Sequence, residues 1–295
     1  MGSHARFHLL LALTIVFWAG NALVGRATVG QVPPIALSFW RWAIALLIIL
    51  PFTARDMIRV APLIRARWQV VTVMAVASVT AYNTLLYLAL QTTTAINATL
   101  VATSMPVMLL ILSRVWLKTP IRLAQGLGIA LSLAGVLFII GRGDPARLMG
   151  LGLAAGDLLM LAAVLSWTIY SAMLRRYPLD VPGQTLLAVL IAIGTVFILP
   201  LYLWEIASGV TMEVTWTAAT AILYTAVFPS LLAYTFWNKG VAALGAAVAG
   251  QYTYLMPLFT AVLAVALLGE SFHWFHGLGG VMIFGGLWLA TRQKK

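Results

Sequence analysis

The deepest polar side chains of this chain fall in six short groups, each set in an otherwise apolar stretch. Trp18 and Asn21 lie three apart, on one face of a helix. Trp167, Tyr170 and Ser171 repeat that spacing, and Ser78, Tyr82 and Asn83 form a third group. Asn97, Thr103 and Ser104 make the fourth, Ser230, Tyr234 and Asn238 the fifth, and Gln251, Tyr252 and Tyr254 the sixth. In hydrocarbon a deep polar side chain is a functional candidate by default. Amides and hydroxyls hold a polar head, while aromatic faces accept apolar rings and organic cations. Together they suit the noncovalent holding of a small amphipathic solute. Asn83 and Asn97 equally suit interhelical hydrogen bonding, worth about 0.6 kcal/mol each.

Bond-making chemistry has few candidates. The chain has no cysteine, hence no disulfide and no thiolate metal site. It has no Gly-x-x-x-x-Gly-Lys loop for ATP. Glu270, His273 and His276 recur at steps of three and are the residues a membrane enzyme or a metal site would use, but the trio straddles a helix break. No cofactor and no metal are expected. No Asp or Glu lies in the middle third of any span, which disfavours carboxylate-based proton coupling. Arg41 lies some six residues into the second span, where full burial costs about 2.5 to 3.5 kcal/mol, so it is expected to snorkel outward rather than meet a solute. Lys239 ends the eighth span and serves either as a helix-end cation or as a partner for a solute carboxylate.

The elements that must position these residues are membrane helices. With 62% hydrophobic and 8% charged residues, the chain cannot cover itself with a water-compatible surface. Ten runs near 8–28, 35–53, 68–89, 95–116, 123–140, 152–174, 183–204, 215–237, 246–268 and 276–292 approach the roughly 20 residues a spanning helix needs. They are continuous rather than alternating, which excludes a barrel. The fold class is therefore all-α integral membrane. The net charge of +11 is sorted by loop. Arg55, Arg59, Arg65, Arg67, Arg114, Lys118, Arg122, Arg175 and Arg176 fall on the side of the termini, which the positive-inside rule places in the cytoplasm. Basic loops of this kind contact anionic lipid, not nucleic acid.

The chain also repeats. Residues 95–139 align without a gap against 246–290, so that Met105-Pro106 meets Met256-Pro257 at an offset of 151. This divides the chain into residues 1–145 and 146–295, with five spans each, and an odd number inverts the second half. Inverted repeats characterise alternating-access transporters. Helices one, three, four, six, eight and nine carry the polar groups and are expected around a central cavity, with the other four outside. Ala95 and Gly245, at the tight hairpins 91–94 and 240–245, are candidate gate positions. Pro106 and Pro257 are candidate hinges or fixed bends. Glycines 126, 128 and 135, mirrored at 277, 279 and 286, allow close packing or dimerisation, so a monomer or weak homodimer is expected.

Phe17-Trp18-Ala19-Gly20-Asn21, Arg41, Tyr87-x-Ala89-Leu90, Thr94-Ala95 and Pro106, followed by Ser166-Trp167-x-x-Tyr170, Ala246 to Pro257 and Leu268-Gly269-Glu270, resemble the drug/metabolite transporter superfamily and its EamA-type exporters. Within it, the neighbourhood of Asn21, Tyr82-Asn83 and Gln251-Tyr252 is most similar to the YddG type of bacterial exporter. The resemblance implies export of aromatic and other neutral amino acids, and of toxic organic cations such as methyl viologen, across an inner membrane. The superfamily also contains carriers of nucleotide-sugars and phosphorylated solutes, which need deep Lys or Arg clusters. The first half carries Leu117-Lys118-Thr119 where the second has Leu268-Gly269-Glu270, so any role of Glu270 is one-sided.

Overall fold

Peptide groups placed in hydrocarbon must be satisfied within their own segment, and helices do this. The computed structural model describes residues 3–117, 123–144, 154–244 and 252–291, and no strand occurs among them. Ten rods are formed among the described residues: α1 (Ser3–Ala27), α2 (Pro34–Ala66), α3 (Trp68–Ala89), α4 (Ala95–Ala102 and Met105–Leu117) and α5 (Leu123–Ile140). They continue with α6 (Ala155–Arg176), α7 (Gly183–Ala207), α8 (Trp216–Thr225 and Ala233–Leu244, with Ala226–Leu232 between), α9 (Thr253–Leu268) and α10 (Trp274–Thr291). Among the described residues, seven helices are long and apolar enough to cross a membrane. Leu47, Val196, Leu267 and Val281 on the perimeter are exposed, a surface made for lipid rather than water.

Helix α2 departs from its expected span. It does not stop at 53 but runs 33 residues, through Pro51 and Pro62, to Ala66. A proline removes one backbone hydrogen bond and bends a membrane helix without ending it. At 1.5 Å per residue α2 is about 50 Å long, so its last turns, carrying Arg55, Arg59 and Arg65, overrun the hydrocarbon. Asp56 and Arg59 pair there at 3.1 Å.

Two kinds of irregularity shape the interior. Val76–Ala81 in α3 and Ala226–Leu232 in α8 are π-helical, wide turns that free carbonyls, and they correspond at the 151-residue offset. Helix α4 is interrupted at Thr103 and Ser104, whose hydroxyls donate to the Leu100 and Val101 carbonyls at 2.6 and 2.7 Å. Helix α9 begins with a tight 3₁₀ turn, Thr253–Leu255. Pro106 and Pro257 each stand in the first turn after the irregularity, where a missing N–H costs little.

Helix α5 packs on α10, α2 on α7, α1 on α8 and α9, and α6 on α3 and α4. The α5–α10 contact rests on glycine. A Cβ at Gly286 would lie 2.5 Å from the Gly128 carbonyl oxygen, and one at Gly135 would lie 2.8 Å from that of Gly279. Ser132 Oγ donates to the Ile283 carbonyl at 2.9 Å across the same seam. These glycines are thus consumed within the chain.

Candidate functional site

Where α1, α3, α6 and α8 converge, the bundle encloses a cavity of about 330 Å³. One wall is aromatic. Tyr82 and Trp167 have centroids 4.9 Å apart, Trp167 lies 5.2 Å from Tyr170 and 6.1 Å from Tyr234, and Trp18 lies 6.3 Å from Tyr234 and 5.3 Å from Trp237. Trp18 Nε1 donates to the carbonyl of Pro229, within the wide turn of α8, at 3.2 Å. Tyr254 from α9 and Ala98, Thr99 and Thr103 from α4 complete the lining.

The polar part of the lining centres on Arg41. The residue is 2% exposed, so it does not snorkel. Its Nη1 donates to Asn21 Oδ1, Asn83 Oδ1 and the Tyr87 hydroxyl at 2.9, 2.8 and 2.6 Å. Its Nε and Nη2 donate to Ser230 Oγ at 3.0 and 2.7 Å. The Tyr87 hydroxyl donates to Asn21 Oδ1 at 2.7 Å, and the Ser230 hydroxyl donates to the Thr225 carbonyl at 2.8 Å. Asn83 Nδ2 donates to the Ser78 carbonyl across the wide turn of α3. Four neutral oxygen acceptors on α1, α3 and α8 thus make burial of the guanidinium affordable, and α2, expected outside, reaches the cavity through it. Snorkelling fails because the cation sits among oxygens rather than lipid.

The two ends of the bundle differ. At the far end, where α1 finishes, Glu270 accepts hydrogen bonds from the Ala95 and Ile96 N–H groups at 2.8 and 3.2 Å, capping α4. A carboxylate at a helix N-terminus satisfies free donors and opposes the dipole. Arg26 donates to the Leu90 carbonyl at 2.8 Å and approaches Glu270 at 3.9 Å. Glu205 accepts from the Ile35 and Ala36 N–H groups at 3.1 and 2.7 Å and caps α2 in the same way. Thr93 donates to the buried Asp157 carboxylate, and the Gly156 N–H donates to Thr92 Oγ1 at 2.8 Å. These contacts tie the helix ends together at the far end. At the near end the lining reaches exposed Leu174 and Asn238.

Of the residues expected at the site, Trp18, Asn21, Tyr82, Asn83, Trp167, Tyr170, Tyr234 and Tyr254 meet at this one cavity. Asn97 does not. Its Oδ1 accepts from His276 Nε2 at 2.8 Å in a second, far-end pocket with Arg142, because it belongs to the capped first turn of α4. Tyr252 points away as well, its hydroxyl bonded to His8 Nδ1 at 2.6 Å. Lys239 is exposed and does not line the cavity, being one residue past Asn238 at the end of the buried face. Gln251 and Gly245 lie outside the described residues. Ala95 is fully buried under the Glu270 cap. The Glu270, His273 and His276 trio is not assembled as a site: Glu270 faces α4, while His276 Nδ1 accepts from the His273 N–H at 3.0 Å, which leaves the proton on Nε2 for Asn97. Arg41 and Trp237 also line the cavity, and Tyr87 holds Arg41, although helical spacing alone does not bring any of the three to it.

Comparison with known proteins follows the same lines. The EamA-like transporter family profile matches twice, over residues 6–141 and 154–292. An uncharacterized transporter of Archaeoglobus fulgidus is 30% identical over 99% of each chain, and the uncharacterized transporter YyaM of Bacillus subtilis is 26% identical over 98% of this chain and 94% of its own. A probable terminal-alkyne amino-acid exporter of Streptantibioticus cattleyicolor is 29% identical over 67% of this chain and 64% of its own. A solved crystal structure, 21% identical, superposes with a TM-score of 0.61 over 97% of this chain and 96% of that one, and so shares the fold. The chain belongs to the EamA-like transporter family and is a multi-pass membrane protein.

Proposed function

We propose that this chain carries small amphipathic metabolites outward, aromatic and other neutral amino acids foremost, by alternating access through the central cavity. The observation that carries the reading is the cavity itself: aromatic rings and hydrogen-bonding side chains line one space, within the roughly 300–1,000 Å³ typical of small-molecule sites. The double family match, the 151-residue offset and the paired irregularities of α3 with α8 and α4 with α9 support two related halves, 1–145 and 146–295, inverted with respect to each other. Charge placement supports a cytoplasmic membrane with both termini in the cytoplasm, and then the tied far end faces outward and the cavity stands ready to load. The Streptantibioticus relative supports an amino-acid class of solute.

Rocking of α3, α4, α8 and α9 would exchange the two access states, with the breaks before Pro106 and Pro257 as bending points and the hairpins at Ala95 and Gly245 as gates. A nucleotide-sugar or phosphorylated solute fits less well, because Arg41 is the single Lys or Arg on the described cavity wall. Efflux from proteoliposomes preloaded with labelled phenylalanine, threonine or methyl viologen tests the reading. Phenylalanine should leave fastest; release of none of the three above protein-free vesicles would overturn it.

A further inference from the structure

Among the described residues, the buried guanidinium has no anionic partner. All five hydrogen bonds of Arg41 go to neutral oxygens, those of Asn21, Asn83, Tyr87 and Ser230. Among the described residues no carboxylate lies within 4.0 Å of it; the ion pairs there are Arg26 with Glu270 and Arg59 with Asp56. Its ring neighbours, Trp42 at 4.7 Å and Tyr87 at 5.8 Å, soften the charge without cancelling it. Asp157, Glu205 and Glu270 are all committed to the far end, on Thr93, α2 and α4 respectively. A desolvated cation without a counter-ion is among the costliest arrangements a membrane interior can hold, and polar side chains repay only part of it. Nη2 makes one hydrogen bond, to Ser230, so a second proton on that nitrogen is still to be given. Arg41 lines the same cavity as the rings of Trp18, Tyr82, Trp167 and Tyr234.

We infer that Arg41 is a carboxylate-recognition residue of this cavity, and that its solutes must carry a carboxylate beside an apolar or aromatic body. The inference rests on the transport reading above and sharpens it: the solute itself supplies the missing negative charge. Organic cations, which an aromatic wall alone would welcome, are then rejected by the positive charge at the same site. The viologen expectation falls with them, and amino acids and aromatic carboxylic acids remain.

Calorimetric titration of the purified full chain in lipid nanodiscs with phenylalanine, 3-phenylpropanoate and phenethylamine separates the possibilities, since these share a ring and differ in charged groups. Wild type should bind the two carboxylates and bind phenethylamine at least about 100-fold more weakly, as expected for a charge-assisted contact in a desolvated site. Arg41→Lys should keep the preference in reduced form, and Arg41→Gln should lose it. Because the ligand series is read on the wild type, the inference stays testable even where a variant fails to fold. Equal affinity of wild type for phenethylamine and phenylalanine overturns the carboxylate assignment while leaving transport intact. Binding of none of the three, together with no efflux, removes the transport reading and the inference with it.

Discussion

Removing the Glu270 carboxylate should open the far end of the bundle. Glu270 accepts two backbone hydrogen bonds at the start of α4, at 2.8 and 3.2 Å, and both span separate helices. Hydrogen bonds to a charged group contribute about 1.5 to 3 kcal/mol each before re-solvation, and a helix-dipole contact about 0.3 to 1 kcal/mol. Thr94 still caps the helix locally through the Asn97 N–H at 3.1 Å, so part of the loss is absorbed. A net shift of about 2 to 3 kcal/mol toward the state open at the far end follows, roughly 30- to 150-fold in population. The chain has no cysteine, so one introduced at Ala98, a buried alanine on the cavity wall, reports alone. A charged, membrane-impermeant maleimide applied from the far side should modify Ala98→Cys tens of times faster in the Glu270→Ala background. An unchanged rate, in a variant whose melting temperature shows it folded, would mean that this cap does not hold the far end shut.

Trp167→Ala removes the ring that contacts Tyr82, Tyr170 and Tyr234 at once, and should weaken phenylalanine binding about 10- to 100-fold, aromatic contacts being worth about 0.5 to 1.5 kcal/mol each. Titration measures it. Lys239→Ala, at an exposed residue off the cavity wall, should leave the efflux rate within about twofold of wild type, any effect being confined to the helix end. Gly286→Ala places a methyl group 2.5 Å from the Gly128 carbonyl and should destabilise the α5–α10 seam by about 1 to 3 kcal/mol, visible as a lower melting temperature.

Much of the site was legible because its residues announce themselves against an apolar background. Trp18 and Asn21, Tyr82 and Asn83, and Trp167 and Tyr170 recur at helical spacings, and in hydrocarbon such residues turn inward. Arg41 was misread because a lone cation in a span looks only like an expense. The oxygens that satisfy it lie 20, 42, 46 and 189 residues away, a distance no local pattern encodes. Asn97 was placed too deep for a related reason, since its role follows from Glu270 and His276 some 175 residues on. The length of α2 was hidden by Pro51 and Pro62, which read as stops in sequence and lie inside a continuous helix in the bundle. The wide turns of α3 and α8 carry no residue type of their own in α3, although Pro229 marks the one in α8.

Alternating access as proposed serves the cavity from one end at a time, so the far end must part for solute to leave. A disulfide between Thr93→Cys and Asp157→Cys, at side chains that already touch across α3–α4 and α6, tests it most directly. Counterflow of labelled phenylalanine in proteoliposomes should vanish on oxidation and return on reduction, while binding from the near end persists. Counterflow at the same rate in the oxidised and reduced protein would contradict the account.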